Sequence, residues 1–180
     1  MKINGLTLIY GKDSLAAKAF VSTKFSTLFN SSKYKEYPGY ATGVNFLKTQ
    51  FLKVHRKNKN KFVFVFTHAE ALLHPSEQVE MAKYMCKLIH SGFKFIVLSH
   101  SPYFIHALEV YLSRYYTIDE YKKVFNAYKV IDSDRAEKIA YDDIDEVIFS
   151  ELYSPLKTLS TIQKFPKEEK EWKRQKSSQS

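Results

Sequence analysis

Two apolar runs, Phe62–Phe66 and Phe93–Leu98 (the second interrupted only by Lys94), each close on a polar corner that carries a histidine. Nothing else in the chain constrains its fold as strongly. Near-continuous apolar runs of this length belong to strands buried on both faces of a parallel sheet. Between them, Pro75 suits the first turn of a helix, and Glu77 and Glu80 favour its positive end. Val79, Ala82, Met85 and Ile89 give that helix one apolar stripe, and Ser91-Gly92 ends it behind His90. Alternation of strand and helix predicts an α/β sandwich around a mainly parallel sheet, with right-handed crossovers. Ligands of such proteins sit outside the carboxyl ends of the strands. Here those ends read Thr67-His68-Ala69-Glu70 and Ser99-His100-Ser101-Pro102.

The rest of the chain is read from the same signals. GLTLIY, residues 5–10, is a first strand, and Gly11-Lys12-Asp13 turns the chain. Leu15, Ala19, Phe25, Leu28 and Phe29 predict a helix reaching Asn30. Residues 30–41 concentrate Ser, Pro and Gly and read as a loop. Val44, Leu47, Phe51 and Val54 repeat at helical spacing, and HRKNKNK, residues 55–61, is a basic connection. Pro102 opens a helix carrying Ile105, Leu108, Leu112 and Tyr115. Residues 122–131 read as a strand and 132–143 as a charged loop. Ile144, Ile148, Leu152, Leu156 and Leu159 predict a last helix to Gln163. The expectation is one domain over residues 1–163, built on three buried strands, and a charged, frayed tail over 164–180.

Hydrophobic residues make up 44% of the 180, enough for a core, while 5 Gly and 5 Pro argue against a turn-rich β-sandwich. The single cysteine, Cys86, falls on an amphipathic pattern and reads as a buried, inert thiol, which fits a reducing cytoplasm. No apolar run approaches the roughly 20 residues of a membrane span, and MKINGLTLIYGKD has no signal-peptide pattern. A cytoplasmic protein without membrane contact is expected. Charge is unevenly spread: residues 1–61 hold 12 Lys/Arg against 2 acids. Such a basic third is suited to phosphate, whether of nucleic acid or nucleotide.

FVFTHAEALLHPSEQ, followed by IVLSHSPYFIHALE, resembles the second half of an ABC-type ATPase head. More narrowly, it is similar to the overcoming-lysogenisation-defect and structural-maintenance-of-chromosomes-like ATPases. Their pattern is a strand ending in Asp-Glu-Pro-Glu-Ala-His-Leu-His-Pro, a helix, and a strand ending in Thr-His-Ser-Pro. Glu70, Ala71, Leu73, His74 and Pro75 match the first, and Ser99-His100-Ser101-Pro102 matches the second. The resemblance spans about residues 60–160. Over 1–45 it is fainter, with LTLIYGKD placed as the strand entering a Walker A loop and Ala41-Thr42-Gly43-Val44 as the Ser-Gly signature. It implies a three-layer, P-loop NTPase-like sandwich lacking the arm or helical lobe, for which only residues 30–41 leave room.

What the resemblance implies about chemistry is mostly loss. A phosphate loop needs glycines, a lysine for the β/γ-phosphates and a hydroxyl for Mg²⁺. In GKDSLAAKAF, Gly11 is present, and Lys12 and Lys18 are the available cations. Lys18 stands one residue late, which rotates it by about 100° on a helix. The Mg²⁺-binding Asp and water-orienting Glu of Walker B fall on Thr67 and His68, leaving Glu70 as the retained acid. His100 matches the family's phosphate-sensing switch histidine. His68, His74 and His100 sit at separate element ends, so no metal site is expected.

Three readings follow. The first is a catalytically degenerate ABC-ATPase-like protein, not an enzyme, that needs no cofactor and acts by binding. Its partner would be a full-length ABC-type ATPase, that ATPase's nuclease subunit or a second copy of itself. The family's place in phage defence and DNA repair implies an accessory subunit or a counter-defence antagonist. The second is a divergent ATP·Mg²⁺-binding protein or weak ATPase using Lys12, Lys18, Glu70 and His100. The third is a nucleic-acid-binding module over residues 33–61, with Tyr34, Tyr37 and Tyr40 interleaving the cations Arg56, Lys57, Lys59 and Lys61.

Overall fold

The computed structural model describes residues 3–11, 14–29, 31, 33–38, 43–59, 61–140, 143–144, 146–147 and 150. Met1–Asp145 forms one compact unit and Glu146–Ser180 a second, whose described residues 146, 147 and 150 are helical. Most of the expected last helix, the tail, Lys12, Tyr40, Ala41 and Thr42 therefore lie outside the described residues.

Among the described residues six strands make one sheet: β1 Leu6–Tyr10, β2 Tyr34–Pro38, β3 Val63–Thr67, β4 Phe95–Ser99, β5 Phe125–Val130 and β6 Ala136–Ile139. Their spatial order is β2-β3-β4-β1-β5-β6. The first five strands run parallel, and β6 pairs antiparallel with β5. This confirms a mainly parallel α/β sheet with three buried strands, β1, β3 and β4, and adds two edge strands to the four expected. Residues 34–38 form an edge strand, not a loop, and residues 136–139 form the other edge. The expected strand over 122–131 begins only at Phe125, because α7, Ile118–Val124, is held by a Thr117–Glu120 capping box.

Side-chain alternation sorts the core into two layers on either face of the sheet. On one face Ile9, Val63, Val65, Ile96 and Leu98 pack against Ala17, Phe20, Val21 and Phe25. Most of those partners belong to α1, Ser14–Lys24, which stops short of the expected Asn30 and is followed by a short α2, Ser26–Phe29. The opposite face is aromatic. Phe51 lies within 4.8–5.9 Å, centroid to centroid, of Phe64, Phe66, Phe93 and Phe95.

Phe51 reaches that position through a π turn, Leu47–Phe51, between α3, Val44–Phe46, and α4, Leu52–His55. Such a turn admits an extra residue into the helix. The buried stripe becomes Leu47, Phe51 and His55, while Val54, expected inside, is 63% exposed. A 3₁₀ turn, Arg56–Asn58, follows. Gly43 begins this segment at φ 99, a left-handed conformation that glycine adopts without steric cost. On the same side of the sheet, α5, Pro75–His90, packs on α6, Pro102–Ser113, with the buried Cys86 thiol donating to the Leu108 carbonyl at 3.4 Å. Burial pushes that thiol up to about 12, so it is unreactive, as its pattern implied.

Gly5 precedes β1 at a crowded position. A Cβ there would lie 2.7 Å from the Val124 carbonyl oxygen and press on the Val124 side chain. Gly5→Ala is expected to destabilise the fold by about 1–3 kcal/mol, the usual cost of overpacking. Urea denaturation checks this; an unchanged midpoint would show that α7 gives way freely.

Candidate functional site

The parallel strands bring their carboxyl ends to one edge of the sheet. Because β4 lies between β1 and β3, Gly11, His100 and His68 follow three adjacent strands along that edge. The register sets Tyr10 opposite Ser99 and Thr67 opposite Leu98. Adjacent strands β1 and β4 also send their helices to opposite faces, α1 to one and α6 to the other. A crevice opens at such a reversal of connection.

His68 and His100 meet here, with ring centroids 4.7 Å apart. His100 is exposed and His68 half-buried. Neither ring nitrogen of His68 has a hydrogen-bond partner among the described residues. Burial, and after it the charge of His100, hold His68 below the ordinary histidine value. Its backbone sits at φ 51, uncommon for a residue with a Cβ, and its N–H donates to the Leu98 carbonyl at 2.9 Å. His74 does not join the pair. It caps α5 by accepting from the Ser76 N–H, while Glu77 accepts from the His74 N–H at 3.0 Å. Among the described residues no group of three or more His, Cys, Asp or Glu is placed to hold a metal.

Glu70 turns inward. It is 1% exposed and accepts a 2.6 Å hydrogen bond from the Ser99 hydroxyl on Oε1, while Oε2 has no partner among the described residues. The Ser99 oxygen in turn accepts from the Ser101 N–H at 3.2 Å. The Ser101 hydroxyl donates to Gln78 Oε1, and Gln78 Nε2 donates to the Leu73 carbonyl at 3.0 Å and to that of Glu70 at 3.4 Å. This closed polar ring joins the ends of β3 and β4 to the first turns of α5 and α6. Burial raises the Glu70 carboxyl above the usual glutamate range, and the Ser99 hydrogen bond opposes the rise.

The remaining expected residues are dispersed. Gly11 is buried at the end of β1. Lys18 lies in the second turn of α1, exposed, with its ammonium 3.6 Å from Glu36 on β2. Arg56, Lys57, Lys59 and Lys61 precede β3 and so lie at the amino edge, opposite the histidine pair. Lys59 donates to the Ser91 carbonyl at 2.5 Å. Tyr37, expected on the surface among these cations, instead stacks on Phe66 at 5.2 Å and hydrogen-bonds the buried His55 ring. Gln78 and Ser101 were not anticipated. Ser101 before Pro102 carried a visible helix-cap signal, whereas Gln78 carried none.

Among the described residues the β3 corner offers no exposed carboxylate for Mg²⁺: Thr67 and His68 supply none, and Glu70 is buried in a hydrogen bond. No protein-family model matches this chain, and comparison with curated protein sequences gives no match.

Two pH effects follow. A carboxyl raised by folding stabilises the fold when protonated, and that contribution is lost as pH rises through the folded value. Glu70→Gln should therefore melt higher than the parent at pH 8 and show a flatter pH dependence of Tm above pH 5. A depressed histidine acts oppositely, costing stability as pH falls below the ordinary histidine value. His68→Asn, which also tolerates a left-handed backbone, should lose less stability than the parent between pH 7 and pH 5. Melting curves across pH read both effects, and parallel curves for parent and variant would contradict either one.

Proposed function

We propose that this chain is a catalytically degenerate ABC-ATPase-like protein that acts by binding another protein through the carboxyl edge of its sheet. The inward-turned Glu70 carries this reading. The acid nearest a hydrolytic position holds Ser99, so the corner is built as a joint between strands. Around that corner Leu72 is 78% exposed and Tyr103 57% exposed, and Leu15 on α1 is 80% exposed. Large apolar groups facing water around strand ends mark an interaction surface more readily than a nucleotide cradle. The strand order supports the family reading too, since it sets His100 between the ends that match Walker A and Walker B.

The partner class implied is a full-length ABC-type ATPase, the nuclease subunit of such a complex, or a second copy of this chain. An accessory or antagonist role in phage defence or DNA repair is consistent with a head that docks without hydrolysing.

Calorimetry with millimolar ATP and Mg²⁺ should give no binding heat, and steady-state assays no phosphate release. Sedimentation should show whether the chain pairs with itself. Mixed with a purified ATPase or nuclease subunit of this class, it should form a stoichiometric complex. Leu72→Asp/Tyr103→Asp is expected to weaken whichever association occurs by 10-fold or more, about 1.4 kcal/mol. Tight ATP binding with turnover would replace this reading with that of a divergent ATPase. A monomer indifferent to all three partners would leave it without support.

A further inference from the structure

The outer face of the helical layer carries a composite basic surface that no single stretch of sequence displays. Lys48, Lys83, Tyr84 and Lys87 line one cavity of about 120 Å³, together with Val44 and Glu80. Lys48 comes from the π turn, Val44 from α3 and the others from α5, so the cavity exists only because those elements pack side by side. Inside it the Lys48 ammonium lies 5.5 Å from the Tyr84 ring centroid. Lys83 then links this cavity to α6. Its ammonium is 5.7 Å from the Tyr111 ring centroid, and the Arg114 guanidinium lies 4.9 Å from the same ring. Both tyrosines are half-buried, which anchors them while leaving ring surface in water. Glu80 supplies the opposing charge, 3.6 Å from Lys83. Among the described residues Lys48, Lys83, Lys87 and Arg114 therefore surround two anchored rings, with Glu80 beside Lys83.

We infer that this face binds single-stranded nucleic acid, with a phosphate in the Lys48–Lys83–Lys87 cavity and unpaired bases against Tyr84 and Tyr111. Lysines alone would suit any polyanion. The alternation of cations with fixed aromatic rings is what selects unpaired bases, because every base offers a π face and a duplex hides it. The cavity is of a size for one phosphate group, and lysine ammoniums approach phosphate as point charges without needing planar geometry. Lys59, tied to Ser91 at the end of α5, extends positive charge from Lys87 toward the amino edge. Tyr37 is engaged by Phe66 and His55, so Tyr84 and Tyr111 supply the aromatic part that residues 33–61 were expected to provide. The surface lies away from the carboxyl edge and does not depend on the protein-binding role proposed above.

Fluorescence anisotropy with a labelled oligothymidylate of about 20 nucleotides tests this on the full chain. Binding should weaken steeply between about 50 and 200 mM salt, and a duplex of equal length should bind less tightly. Tyr84→Leu/Tyr111→Leu keeps most apolar volume and should lower affinity on the order of 10-fold with an unchanged salt slope. Lys48→Gln/Lys83→Gln/Lys87→Gln should lower affinity and flatten the log–log salt slope by about 2. Circular-dichroism melts establish that both variants fold. No binding by the parent overturns the inference. So does equal affinity for single strand, duplex and heparin with no effect of the tyrosine variant, which would mark a non-specific cationic surface. Loss confined to Arg56→Gln/Lys57→Gln would place the contact elsewhere and overturn it as well.

Discussion

The hydrogen bond from Ser99 to Glu70 holds together the part of this protein on which everything else is arranged. It joins residues that follow and end two neighbouring strands, and through Ser101 and Gln78 it reaches two helices. A buried carboxyl is costly when charged and inexpensive when protonated or well bonded. Here one oxygen is bonded and the other lacks a partner among the described residues, and burial raises the carboxyl above the usual glutamate range. The bond to Ser99 turns this carboxyl inward, away from the edge where a metal would need it. The same bond fixes the loop that carries His68 and Leu72, and so determines what the edge shows to solvent.

The aromatic layer is the second organising element. Phe51 touches rings from β3 and β4, and Tyr37 brings β2 into the same cluster through Phe46, Phe51 and Phe66. Aromatic pairs add to the stability given by burial alone, by about 0.5–1.5 kcal/mol each. With this face of the helices committed to the sheet, their outer face is left to lysines and half-buried tyrosines. The basic surface on α5 and α6 is thus a consequence of which side of each helix the core requires.

Legibility of the fold follows burial. Strands β3 and β4 were readable because both faces are covered and every residue is apolar up to the corner. Strand β2 was not, since YKEYP interleaves polar residues and ends in proline, as an edge strand can. Strand β6, AEKI, is mostly exposed and carries no apolar run at all. The slip from Val54 to His55 depended on a π turn, which shifts register by a residue and has no compositional mark. At the site, Thr67, His68 and His100 were placed correctly at strand ends by the same apolar runs. The inward turn of Glu70 was not visible, because a glutamate beside a helix start more often faces water.

By itself, the sequence determined an α/β protein with buried parallel strands, two histidine-bearing corners and a lone inert thiol. Each of these follows from local pattern, from continuous apolar runs or helical spacing read over a dozen residues. Tertiary structure alone decided which residues meet. It set β4 between β1 and β3, paired His68 with His100, and turned Glu70 onto Ser99. It also stacked the half-buried Tyr37 on Phe66 and assembled Lys48, Lys83, Tyr84, Lys87, Tyr111 and Arg114 from three segments. Those outcomes depend on crossover direction, register and packing between distant segments, which no local pattern encodes.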